Sequence, residues 1–133
     1  MTRVVVLLSG RGSNFQALLA ANLPVEFVAV ISNRPDAAGL EIARRAGIPA
    51  IALDHKLAPD RGTFDATLAA EIERHAPDLI VMAGYMRILT PAFIARFEGR
   101  MLNIHPSLLP AFPGLHTHAR ALEEGVKLHG CTV

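Results

Sequence analysis

With 133 residues, 51% of them hydrophobic, the chain is long enough for one domain with a packed core. Thirteen Lys and Arg against twelve Asp and Glu leave a formal net charge of +1, and no basic run offers a face to a nucleic acid or an anionic membrane. The single cysteine, Cys131, excludes an internal disulfide framework and suits a reducing, cytoplasmic setting.

Val4–Leu8 is a continuous apolar run, the pattern of a strand buried on both faces of a parallel sheet. It is too short to cross a membrane, and no small-residue cleavage site follows it. Ser9-Gly10-Arg11-Gly12-Ser13-Asn14 turns this strand into a helix with Phe15, Leu18, Leu19 and Asn22 at helical spacing. Residues 24–31 read as a second strand. Asp36 reads as the cap of a second helix carrying Leu40, Ala43 and Ala46, which Gly47 ends. Residues 49–53 supply a short third strand.

From Asp54 to Gly62 the chain is polar and broken by Pro59 and Gly62, so a loop is expected there. Thr63 can cap a third helix, with Phe64, Leu68 and Ile72 recurring every four residues and Pro77-Asp78 stopping it. Residues 79–83 form a fourth strand. Thr90-Pro91 starts a helix bearing Phe93, Ile94 and Phe97, which ends near Gly99. Residues 100–104 are the fifth strand, and 116–124 a further short helix. The strand-like residues 128–133 close the chain; an apolar edge left there points to a truncated chain. The alternation of strands and helices implies one α/β domain over residues 1–133, with an open, mostly parallel, Rossmann-like sheet flanked by helices.

Ligands of such a sheet lie beyond the carboxyl ends of its strands, and three punctuated segments fall there. Gly10 to Asn14, between a strand and a helix, fits a phosphate held by backbone N–H groups, or simply a tight turn with a Ser cap. Phe15 stands where a dinucleotide fingerprint needs glycine, and Ser32-Asn33-Arg34 supplies no acid for a ribose. Gly84-Tyr85-Met86-Arg87-Ile88-Leu89 is an apolar segment with one cation. It fits either the wall of a pocket for a flat heteroaromatic ligand or plain packing.

Third comes Asn103-Ile104-His105-Pro106. Asn103 and His105 project from one face of an extended backbone, and Pro106 holds His105 extended. An amide and an imidazole so aimed can polarise a carbonyl or move a proton, or can anchor the next loop. A metal site is not expected: His116 and His118 lack the four-residue helical spacing, and Cys131 is isolated. His55, His75 and His129 read as ordinary surface or loop residues, and Cys131 as a small buried one.

Five segments in this order resemble the phosphoribosylglycinamide formyltransferase family. They are residues 9–14, 31–34, 83–89, the Asn-Ile-His-Pro-Ser-Leu-Leu-Pro run 103–110, and the Phe-Pro-Gly-Leu-His-Thr-His run 112–118. The resemblance implies formyl transfer from 10-formyltetrahydrofolate, a co-substrate, to the amine of glycinamide ribonucleotide, with no metal. It assigns the substrate phosphate to Gly12, Ser13 and Asn14, and the folate to Met86, Arg87, Ile88, Leu89 and Asn103, with Arg61 contributing from the polar loop. Asn103 and His105 become the catalytic pair. It also implies a catalytic aspartate after the strand beginning at His129, together with further strands and helices, all past Val133. The expected protein is cytoplasmic, a monomer or homodimer, with no nucleic-acid or membrane partner. A formyltetrahydrofolate hydrolase, which shares the Asn-x-His-Pro-Ser stretch, and an inactive ligand-binding fragment are the alternatives.

Overall fold

The computed structural model describes residues 1–104, 117–124 and 132–133. They fall into two compact units, Met1–Leu102 and Asn103–Val133. In chain order the elements are β1 (Thr2–Leu8), α1 (Ser13–Ala20), β2 (Val25–Ser32), α2 (Ala38–Arg45), β3 (Ala50–Ala52), a 3-10 turn (His55–Leu57), α3 (Arg61–Arg74), β4 (Leu79–Met82), α4 (Pro91–Arg96), β5 (Met101–Asn103) and α5 (Thr117–Glu124). The expected residues 128–131 of a closing strand lie outside the described ones.

The sheet runs β3-β2-β1-β4-β5, and β1 pairs in parallel with both β2 and β4. β1 is central because its sequence offers no polar face. Val5 and Leu7 enter one core, with Phe64, Leu68 and Ile72 of α3 and with Phe93 and Phe97. Val4, Val6 and Leu8 enter the other, with Phe15 of α1 and with Leu40 and Ala43 of α2. Alternation at period two thus feeds two helical layers, one on each side of the sheet. The open, parallel, helix-flanked architecture read from the sequence is the one observed.

Local expectations fared unevenly. Thr90 caps α4, its hydroxyl accepting from the Phe93 N–H at 3.3 Å, and Pro91 occupies the first turn. Gly47 follows α2 at φ 74°, its N–H donating to the Arg44 carbonyl while that of Ile48 reaches Ala43, which is the Schellman closure. Three expectations need correction. Asn22 lies beyond α1, in a left-handed conformation at φ 50°. Thr63 does not cap α3: Asp60 does, accepting from the Thr63 N–H at 2.7 Å, so the helix starts at Arg61 and the supposed loop is shorter. Hydrogen bonds from Thr63 hold the Asp60 carboxyl below its ordinary range.

Asp36 does not cap α2 either. Its carboxylate pairs with Arg34, and the N-cap is Ala37, without a side-chain bond. The reason is tertiary: the Gly39 N–H of the first turn donates to the Gly10 carbonyl at 3.0 Å, so the β1 turn satisfies the helix end. The approach is so close that a Cβ on Gly39 would lie 2.6 Å from Leu8 Cδ2, and one on Gly12 would lie 2.7 Å from Gly39 Cα. Gly39→Ala is expected to destabilise the protein by about 1–3 kcal/mol through overpacking at a fully buried junction. A urea midpoint equal to that of the parent protein would contradict this.

Candidate functional site

The chain reverses its order of strands between β1 and β4, and the loops after these two strands meet at the carboxyl end of the sheet. Ser9 is where they join. Its N–H donates to the Gly84 carbonyl at 3.0 Å, and its Oγ accepts from the Met86 N–H at 2.8 Å. The Ser9 hydroxyl donates in turn to Asn33 Oδ1 at 2.5 Å, just beyond β2. Ser9 is 3% exposed and Asn33 4%, so water does not compete for these bonds. The Asn33 carbonyl lies 2.9 Å from His55 Nδ1. A carbonyl can only accept, so Nδ1 carries the proton, and the Asn33 Nδ2 atom 3.4 Å away faces it as a second donor without bonding.

On one side of this joint is the turn Gly10 to Asn14. Gly12 sits at φ 75°, ψ 24°, and α1 begins at Ser13 without a side-chain cap. A left-handed residue followed by helical ones points successive N–H groups into one concavity, and the helix dipole adds positive potential there. Ser13 and Asn14 are exposed, so the turn is open to an anion. Gly12 is therefore fixed twice, by its φ and by its approach to Gly39.

On the other side runs Gly84 to Leu89, with residues alternating in burial. Met86 is 50% exposed and Ile88 67%, whereas Tyr85 and Leu89 pack on the core beneath. Arg87 lies over the Phe64 ring, 4.8 Å from its centroid, with its Nε buried and without a hydrogen-bond partner among the described residues. Arg61 donates from its guanidinium to the Ile88 carbonyl at 2.8 Å, bracing the segment from the first turn of α3 rather than from a loop. The buried Asp65 accepts from the Thr90 N–H at 2.8 Å and ties down the segment's far end. A cavity of about 340 Å³ opens beside α3, lined by Leu53, Leu57, Ala58 and Thr67 and sharing the Phe64 ring as a wall.

The structure thus draws Gly12, Ser13 and Asn14 and the residues Arg61, Met86, Arg87, Ile88 and Leu89 about one joint in the first unit. Asn103, exposed at the end of β5, belongs to the second unit, and His105 lies outside the described residues. Sequence reasoning missed Ser9, Asn33 and Asp65, and treated His55 as an ordinary loop residue. The available signal was small polar residues ending two neighbouring apolar strands. Among the described residues no group of three or more His, Cys, Asp and Glu could hold a metal, and no helix is long and apolar enough to cross a membrane.

A doubly wound half-sheet with an anion-ready turn at its strand-order reversal is a frame on which small-molecule transferases are built. The family model for formyl transferases matches residues 2–133, and the chain belongs to that family. Phosphoribosylglycinamide formyltransferase of Escherichia coli (strain K12) is 51% identical over 98% of this chain and 63% of its own length. The trifunctional purine biosynthetic protein adenosine-3 of Homo sapiens is 47% identical over 98% of this chain and 13% of its own. The crystal structure of glycinamide ribonucleotide transformylase 1 from Symbiobacterium toebii superposes with a TM-score of 0.92 at 48% identity, covering 99% of this chain and 64% of that one. The chain spans less than two thirds of the length of each.

Burial pushes the Tyr85 hydroxyl well above its ordinary value of 10.0, with Arg87 opposing the rise and Asp65 adding to it. The unfolded chain therefore releases this proton first. The contribution to stability is intact below about pH 10 and is lost as the pH climbs toward the raised value. Tyr85 is the one tyrosine in the chain, so phenolate absorbance reports it alone. Its appearance is expected only together with unfolding; a reversible titration near pH 10 in folded protein would contradict the buried placement.

Proposed function

We propose that this protein transfers a formyl group from 10-formyltetrahydrofolate to the amine of glycinamide ribonucleotide. The observation that carries the reading is the Ser9 joint: the open anion-ready turn follows directly on Ser9 in the chain, and the half-apolar segment is bonded to Ser9 through its N–H and its buried hydroxyl. A reaction between a phosphorylated acceptor and a heteroaromatic donor needs two such surfaces held as neighbours. The names of the Escherichia coli relative and of the Symbiobacterium toebii structure support formyl transfer to this acceptor.

On this reading the N–H groups at Gly12, Ser13 and Asn14 hold the acceptor's phosphate. Met86, Arg87, Ile88 and Leu89 hold the pterin of the folate, mostly through backbone polar groups and apolar atoms, and Arg61 contributes from α3. Asn103 and His105 work on the formyl group. The amine attacks the formyl carbon, the carbonyl electrons move onto oxygen, and the Asn103 amide and a protonated His105 donate to the oxyanion more strongly than to the ground-state carbonyl. Collapse of this intermediate releases tetrahydrofolate nitrogen as the leaving group. The proton lost by the amine reaches the leaving nitrogen through the same imidazole or water, a role suited to a group titrating near neutrality. The family resemblance adds an aspartate, beyond Val133, that sustains the His105 charge. The reaction is cytoplasmic and takes no metal.

In a chain carrying the aspartate loop, His105→Ala is expected to lower kcat by about 10²-fold or more while leaving affinity for the phosphorylated acceptor nearly unchanged. An unaltered kcat would sink the catalytic assignment. Consumption of the formyl folate without glycinamide ribonucleotide would replace transfer by hydrolysis.

A further inference from the structure

We propose that Ser9 and Asn33 are positioning residues that set the affinity for the reduced folate by fixing the backbone of Met86. The inference rests on the folate reading of the Met86–Leu89 segment. Met86 is half exposed, so its side chain does little to hold the segment. What fixes the Met86 backbone itself is the bond from its N–H to Ser9 Oγ at 2.8 Å, backed by the bond from the Ser9 N–H to the Gly84 carbonyl, while Arg61 and Asp65 hold the segment further along. A hydroxyl rotates freely unless its proton is committed. Here the proton goes to Asn33 Oδ1 at 2.5 Å, which turns a lone pair of Ser9 toward Met86. Asn33 is steadied through its own carbonyl, which takes the His55 N–H at 3.3 Å and lies 2.9 Å from His55 Nδ1. The chain of action is therefore Asn33 on Ser9 and Ser9 on Met86. A flat ring read by backbone polar groups tolerates little displacement of those groups. The anion turn does not depend on this hydroxyl, because it is held by the Gly12–Gly39 approach and by the Gly39 N–H bond to the Gly10 carbonyl.

The test uses the full-length protein, with 5-formyltetrahydrofolate and glycinamide ribonucleotide titrated separately by calorimetry. Ser9→Ala leaves the Met86 N–H and Asn33 Oδ1 unpaired in a buried site, and is expected to weaken folate binding by about 10-fold or more with binding of the ribonucleotide unchanged. Asn33→Ala is expected to act in the same direction, and to add nothing further on the Ser9→Ala background. Hydrogen exchange of the Met86 amide is expected to be slow in the parent protein and faster in both variants. Equal losses for both ligands, or an unchanged folate affinity in a folded variant, would overturn the inference while leaving the folate reading standing. A parent protein that binds no 5-formyltetrahydrofolate would overturn the folate reading itself. Should neither variant fold, a rapidly exchanging Met86 amide in the parent protein overturns the inference alone.

Discussion

The complete burial of β1 on both faces is the constraint from which the rest follows. Residues 4–8 are each 2% exposed or less, and no water-facing side exists for them. Five consecutive apolar side chains pointing alternately to two sides demand two helical layers, and two layers demand crossovers longer than a hairpin. With α1 and α2 on one side and α3 and α4 on the other, the sheet reverses its strand order beside β1. The reversal opens a crevice at the carboxyl ends of β1 and β4, so the core of the molecule decides where its chemistry can sit.

Polar groups at that crevice are arranged in two ways. Ser9, Asn33 and Asp65 are buried and bonded to backbone or to each other, and they fix the loops. The N-terminus of α1 is exposed and lacks a side-chain cap, which leaves it available. Saturating the first set costs nothing in function, whereas a Ser or Asp cap on α1 would fill the place an anion takes. Gly12 as N-cap is therefore consistent with a turn kept open, since it supplies the left-handed φ without supplying an acceptor.

Much of this was legible in the sequence because it rests on periodicity and turn chemistry. The strands, the helix at Thr90-Pro91, the stop at Gly47 and the turn at Gly10 to Asn14 all announce themselves locally. What failed was decided across space. Asp36 satisfies the local rule for a helix cap, but the Gly10 carbonyl, far away in sequence, takes the N–H of Gly39 instead. Asp60 and Thr63 both satisfy that rule for α3, and local sequence alone does not choose between them. Ser9 and Asn33 lie in two segments of the resemblance, but neither segment gives them a role, and only the adjacency of β1 and β2 turns these two small polar residues into one bonded pair. The candidate binding residues were thus read as segments, and the groups that hold those segments in place were not.

The choice between transfer and hydrolysis turns on the same anion turn. Both reactions need donors for a formyl oxyanion, so Asn103 and His105 would serve either. They differ in the acceptor: water needs no binding surface, and an amine on a phosphorylated sugar needs one that takes charge. An exposed helix start reached through a left-handed glycine, wedged against α2 so closely that a methyl group has no room, is costly to maintain for a water acceptor. Gly in that position gives up the stability of a capped helix and adds backbone entropy on folding. The arrangement makes physical sense when an anion completes the cap. On the proposed reading, the phosphate of glycinamide ribonucleotide does so, which ties acceptor choice to the local geometry of Gly12 rather than to the catalytic pair.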